Sequence, residues 1–265
     1  MTDSFLFALL VGAFAGVMTG IMGASGMMAV VPGMILLGYS AYQAIGISLA
    51  VDVIAASIVA FAYYRNGNVD MGRGLWIATA AVVGAQLGSR LLFRIPESGL
   101  NGGFGILLLL TAVSFWRDGI GQGGVRRNLD RFQNVPFMRR LERHPISVSI
   151  TIGLLVGIVS GMLGVGGGIL FMFSLLVMGY RLHTAVGTST MIMALTTISG
   201  TIGHAMLGNL PYDAILFASI GTVFGSFGSA RLANQLSESA LSKMIALVFA
   251  TLGLALVGIT IWQAF

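Results

Sequence analysis

Apolar residues along this chain fall into ten blocks separated by short polar or glycine-rich breaks. Five of them, Phe5–Met22, Met27–Leu37, Tyr42–Tyr64, Gly74–Phe93 and Asn101–Trp116, precede a polar stretch from Arg117 to His144. Five more follow it: Ile146–Leu163, Gly168–Met178, Thr184–Leu207, Ala214–Leu232 and Leu241–Trp262. A helix that spans a hydrocarbon core of about 30 Å needs about 20 residues. Four blocks in each half meet or approach that length. The second block of each half does not, because about 11 residues rising 1.5 Å each reach only about half way. The pattern predicts an all-α polytopic membrane protein with one short segment, re-entrant or crossing, and about four longer helices per half.

The two halves also match in sequence. A shift of 141 positions pairs Gly12, Gly16, Gly20 and Gly23 with Gly153, Gly157, Gly161 and Gly164. Without a gap it continues through Gly38-Tyr39 and Gly179-Tyr180, Gly46 and Gly187, Ser48 and Ser189, and Gly67-Asn68 and Gly208-Asn209. It ends with Gly84 and Gly225, and Arg90-Leu91 and Arg231-Leu232. This is an internal repeat, and it divides the chain into a first membrane repeat (1–116), a basic linker (117–145) and a second membrane repeat (146–265).

Composition supports the membrane reading. Of 265 residues 56% are hydrophobic and 9% charged, with a mean hydropathy of +0.93. A soluble domain carries about a quarter charged residues. The 38 glycines suit close helix packing and broken helices. With no cysteine there are no disulfides, thiol nucleophiles or thiolate metal sites, and no His and carboxylate cluster has metal-ligand spacing. No metal or other cofactor is expected. The N-terminal MTDSFLFALL lacks a basic n-region and runs on to Met22, so it reads as the first membrane segment.

The net charge of +5 does not point to nucleic acid, because the linker holds seven of the arginines. If each half crosses the membrane an odd net number of times, the second half is inverted. Twelve of the 14 Lys and Arg then share one side, leaving Arg90 and Arg94 on the other. The positive-inside rule favours that arrangement in the cytoplasmic (inner) membrane, with linker and basic loops cytoplasmic and both termini outside. The linker reads chiefly as a topology determinant, with a basic segment lying on the bilayer surface as the alternative.

Each short segment follows a glycine-rich elbow: Gly23, Ala24, Ser25, Gly26 and Met27 in the first half, and Gly164, Gly166, Gly167 and Gly168 in the second. Ser25 invites comparison with a serine nucleophile. Such a nucleophile needs a base within hydrogen-bond reach and an oxyanion hole, and His204 has no recognisable orienting partner. The repeat partner of Ser25 is Gly166, so Ser25 reads as a small residue at a chain break. No catalytic residue is expected, and the chain reads as a non-enzyme. The first N–H groups of a helix have no intrahelical partner, cannot be left bare in hydrocarbon, and carry about half a positive charge. Two such ends converging from opposite faces make an anion site; tight helix crossing is the plainer use of the glycines.

GASGMMAVVPGMILLGYSAYQAIGISL and GVGGGILFMFSLLVMGYRLHTAVGTST resemble the duplicated signature of the sulfite exporter TauE/SafE family. The pattern is a glycine-rich elbow, an apolar stretch often with proline, a glycine turn, and then an alanine and a G-T-S-like triplet. The resemblance covers nearly the whole chain. It implies a permease for sulfur-containing or organic anions such as sulfite, sulfoacetate or other sulfonates. The first triplet is Gly46-Ile47-Ser48, and Phe173 stands opposite Pro32, so the two half-sites are chemically unequal.

Other polar residues extend the expected substrate site. Ser48 and the triplet Thr188, Ser189 and Thr190 offer hydroxyls that could donate to sulfonate oxygens or bond a helix. Gln86 offers an amide for substrate or for a neighbouring helix. Arg90 and Arg231 would attract anions into each vestibule or snorkel to the interface. Asn68 and Asn209 read as turn residues. Asp52 is the only acid well inside an apolar block, and its repeat partner is Met193. Acids at such depth are costly and usually functional, so Asp52 is the expected coupling group, with an arginine pair as the structural alternative. The expectation is a secondary transporter working by alternating access, one repeat rocking or gating against the other. Its partners are a small anion and the lipid bilayer. The alternatives are a passive anion channel and, less favoured, an intramembrane serine protease using Ser25. Homodimerisation is one use for the small-residue faces; packing within one protomer is the other.

Overall fold

The computed structural model describes residues 2–22, 25–95, 145–207 and 210–233, together with single helical positions between 100 and 116 and between 247 and 258. These residues form eight helices in the order α1 (Thr2–Met22), α2 (Met27–Leu36), α3 (Ala41–Arg65), α4 (Met71–Leu92), α5 (Pro145–Leu163), α6 (Gly168–Val177), α7 (Leu182–Leu207) and α8 (Tyr212–Ala233). No strand occurs among the described residues. The fifth and tenth apolar blocks are helical at their few described positions. Positions 117–144 of the linker, Gly23, Ala24, Gly208 and Asn209 lie outside the described residues, as does the side chain of Arg231.

Four of the described helices are long and apolar enough to cross a membrane, while α2 and α6 have 10 residues each. The protein is thus all-α and polytopic. The offset of 141 found in the sequence carries α2 onto α6 and α4 onto α8 with coincident ends. Local chemistry explains the shared punctuation. After α2, Gly38 takes φ +90 while its N–H donates to Ile35 O and that of Tyr39 to Met34 O. After α6, Gly179 takes φ +86, with Gly179 N–H donating to Leu176 O and Tyr180 N–H to Leu175 O. Both are left-handed glycine caps of the Schellman type, a conformation that costs any other residue a Cβ clash. The Gly67-Asn68 turn closes α3 in the same way, Asn68 N–H donating to Tyr63 O at 3.0 Å. Ser40 and Gln43 form a reciprocal capping box at the start of α3.

Two seams hold the helices together. Along α4 and α5, a Cβ on Gly84, Gly88, Gly153, Gly157 or Gly161 would run into backbone of the facing helix, with Gly157 against Ala81 and Gly161 against Ala85. Along α1 and α8, Gly12, Gly16, Gly221 and Gly225 meet facing backbone in the same manner. Matched positions rise together along both seams, so each pair runs parallel. Backbones this close gain dispersion contact that bulkier residues would prevent. At the centre, α3 and α7, equivalent under the offset, cross antiparallel: Gly46 packs beside His204, and Gly187 beside Tyr63. Helix α2 lies against α1 and α3, and α6 against α5 and α7.

The seams make a direct prediction. Gly157→Val forces a side chain into the Ala81 backbone, and overpacking of this kind costs about 1–3 kcal/mol. Thermal unfolding in detergent should show a clearly lowered midpoint; an unchanged midpoint would contradict the close approach.

Candidate functional site

The first elbow is built around a carboxylate from another helix. Ser25 donates its hydroxyl to Asp52 Oδ2, and Gly26 N–H donates to Asp52 Oδ1 at 3.1 Å. Met27 N–H donates to Ser25 Oγ at 3.2 Å. Asp52, 1% exposed, therefore supplies the acceptors that the start of α2 lacks. A carboxylate there also complements the positive end of the helix dipole. Every Lys or Arg whose side chain is described is exposed, so among the described residues the partners of Asp52 are neutral donors rather than an arginine.

The second elbow reaches the same side chain. A Cβ on Gly166 would lie 2.8 Å from Asp52 Oδ2 and 2.9 Å from Met193 Cε. Gly164, Gly166 and Gly167 all take positive φ, at +72, +61 and +76, whereas Gly26 at the start of α2 has φ −72. The second elbow thus depends on glycine for its path, and the first depends on Asp52 for its acceptors. One turn before Asp52, Ser48 Oγ donates to Gly164 O at 3.2 Å. Helix α3 therefore ties both elbows through residues four apart on one face. Under the offset, Ser25 with Asp52 becomes Gly166 with Met193, and both pairs are in contact. The two departures from the repeat meet at one place, and that coincidence is a signal in the sequence that position-by-position reading missed.

The remaining candidates are spread more widely. Met27, Gly167 and Gly168 belong to the elbows and pack at the starts of α2 and α6. Ser189 and Thr190 are buried and donate to carbonyls of their own helix, Ser189 to Val186 O and Thr190 to Val186 O and Gly187 O. Thr188 Oγ1 accepts from Asp70 N–H at 2.9 Å. Gln86 Nε2 donates to Ser199 O at 2.6 Å, bonding α4 to α7. Arg90 is exposed in the last turn of α4, outside the hydrogen-bond set of Asp52. Gly23, Ala24 and the Arg231 side chain lie outside the described residues. His204 Nε2 sits 3.2 Å from Gly161 O, and its ring lies against Phe93.

A further tie joins the two halves beyond the spans. Tyr180 donates its hydroxyl to Asp70 Oδ2, which links the α6–α7 turn to the α3–α4 turn. Burial, then the hydrogen bond to Asp70, pushes the Tyr180 phenol up to about 12. Its repeat partner Tyr39 is also shifted upward, by burial and then by the charge of Asp213. The tie itself was not anticipated, although the shared Gly-Tyr dipeptide was visible in both halves.

Elbows, short helices and long apolar helices define the class: a multi-pass α-helical membrane protein with paired broken segments. The family model for "Sulfite exporter TauE/SafE" matches residues 8–256, and the chain belongs to this family of membrane transporters. Among its relatives is the "Probable membrane transporter protein YunE" of Bacillus subtilis (strain 168), 24% identical over 222 residues that cover 78% of this chain and 80% of the relative. The "Probable membrane transporter protein YdhB" of the same organism is 25% identical over 221 residues, covering 82% and 85%. The "Probable membrane transporter protein MJ0441" of Methanocaldococcus jannaschii is 26% identical over 162 residues, covering 61% and 55%. No solved structure matches the chain significantly.

Tyr180→Phe should lower stability by about 1 kcal/mol, the worth of one partly exposed hydrogen bond. Because the phenol holds its proton more tightly when folded, the contribution persists up to the ordinary value of 10.0 and is lost as pH rises toward about 12. Thermal melts of wild type and variant should converge over that window and stay parallel below it. Equal stability at neutral pH would remove the tie from the account.

Proposed function

We propose that this transporter moves a small sulfur-containing or organic anion, such as sulfite, sulfoacetate or a related sulfonate, across the cytoplasmic membrane. The substrate sits at the two glycine-rich elbows near the midplane, and transport proceeds by alternating access. Residues 1–116 and 146–265 are inverted repeats joined by the cytoplasmic linker 117–145, with both termini outside. The antiparallel crossing of the equivalent helices α3 and α7 supports the inversion.

One observation carries the site: both elbows meet on a single buried side chain, with Gly26 N–H 3.1 Å from one oxygen of Asp52 and Gly166 packed against the other. Broken helices that start at a shared interior point present amide donors and helix-dipole ends to whatever occupies it. Sulfonate and sulfite oxygens suit such donors, since backbone N–H groups and hydroxyls stabilise an oxyanion without a buried arginine. The elbow residues Gly23 to Met27 and Gly164 to Gly168 form the two half-sites, and Ser48 sits between them. Thr188, Ser189, Thr190 and Gln86 stand farther along the surrounding helices, Arg90 and Arg231 serve the vestibules, and Asp52 is the coupling group.

The test is uptake of radiolabelled sulfite, sulfoacetate, taurine and thiosulfate into proteoliposomes, with and without a pH gradient. Saturable uptake of at least one, with counterflow, is expected. Gly26→Leu and Gly167→Leu should each abolish it: a side chain on Gly26 overlaps Ala15, and Gly167 is left-handed at φ +76. Absence of flux for all four compounds in folded protein would overturn the anion assignment, and unsaturable flux would favour a channel.

A further inference from the structure

We infer that Asp52 is a built-in competitor for the transported anion, so that the elbow of α2 accepts substrate only once a proton has neutralised that carboxylate. This rests on the anion reading above and specifies how its site is controlled.

The donors at the start of α2 that an oxyanion would use are engaged: Gly26 N–H and the Ser25 hydroxyl both point at Asp52, and Ser25 Oγ accepts from Met27 N–H. The second elbow is no refuge, since Gly166 lies against the same carboxylate. An anion arriving here meets like charge at hydrogen-bond range, with no buried cation to offset it among the described side chains. Like charges this close in a poorly hydrated site repel strongly. Once a proton from the aqueous phase has bound one carboxylate oxygen, the repulsion disappears. The hold on Gly26 N–H then falls from a charge-assisted bond to a neutral one, roughly half as strong. The freed donors can turn to the substrate oxygens. One proton enters with one anion, and both leave on the far side when the carboxylate re-forms and reclaims its donors.

The surroundings assign the switch to Asp52 rather than a neighbour. Among the described residues, the groups that face it are Ser25, Gly26 and Gly166, with Met193 beside Gly166. Helix α2 has no titratable residue. Helix α7 has His183 and His204 near its two ends, with His204 against Gly161 O and Gly46. Asp3 and Asp213 are in the first turns of α1 and α8, and Arg231 is in the last turn of α8.

Two measurements on the full-length protein test this. Hydrogen–deuterium exchange of the peptide covering Gly26 and Met27, corrected for the intrinsic rate, should show protection that weakens as pH falls. In Asp52→Asn the protection should not change with pH. Separately, calorimetric titration with sulfoacetate, whose charge is constant above mildly acidic pH, should show uptake of one proton per anion. Its apparent affinity should fall about tenfold for each pH unit above the transition, and should be flat with pH in Asp52→Asn. If Asp52→Asn does not fold, Ser25→Ala carries the test: it removes one donor to Asp52 and no charge, and should displace both pH transitions together. Sulfoacetate binding without proton uptake, or with the same pH dependence in Asp52→Asn, would overturn the competitor role and leave the anion site standing. Protection independent of pH in the wild type would overturn it as well. Failure of sulfoacetate, sulfite and thiosulfate all to bind, with the pH-dependent protection intact, would overturn the anion reading, and the exchange with it.

Discussion

A helix that begins in the interior of a membrane protein must find acceptors for its first amide groups, because hydrocarbon offers none. The protein answers this at α2 by sending a carboxylate across from α3 and adding a serine hydroxyl. At α6 no side chain caps the helix start; a run of left-handed glycines shapes the entry, and Ser48 donates to the Gly164 carbonyl from the same face of α3. Every feature of the proposed site follows from α3 serving both elbows at once. Its position against α7, secured where Gly46 and Gly187 leave room for the partner helix, is therefore as much a part of the site as the elbows.

The repeat gives the fold its economy, and the departures from the repeat give it chemistry. Where the halves agree, the shared residues are structural: left-handed caps at Gly38 and Gly179, and seam glycines such as Gly16 and Gly157. Where they disagree at the elbows, polarity is concentrated on one side. Ser25 and Asp52 stand in the first half, Gly166 and Met193 in the second, and all four meet. A two-fold site built from identical halves would have to bury either two carboxylates or none. The inequality lets it bury one.

Much of this architecture was legible before any coordinates. The blocks of apolar residues located the helices within a few positions, because turns in a membrane protein must carry the glycine and polar residues that helices there exclude. The offset of 141 anticipated the correspondence of α2 with α6 and of α4 with α8, and Asp52 stood out because acids at that depth are rare. The destinations of side chains were less visible. Both lipid-facing and buried surfaces of these helices are apolar, so sequence alone does not say which face of α3 carries Asp52 inward. The hydroxyls of Ser189 and Thr190 looked available for a ligand, yet they bond the preceding turn of their own helix. Gln86 offered its amide either to substrate or to a neighbouring helix, and it goes to α7. Such choices depend on which helix lies opposite, and that is set by packing rather than by pattern.

The seams bear on how the molecule is made. Helix α1 leaves the ribosome well before α8, which covers its glycine face; Thr222 donates to the Gly12 carbonyl across a sequence separation of 210 residues. Helix α4, by contrast, finds α5 on the next described stretch of chain. Since each seam joins one half to the other, neither half closes on itself. Nascent α1 must wait in the bilayer, without its partner surface, until α8 has been inserted. Assembly therefore includes a long-range step, in which α8 docks against α1.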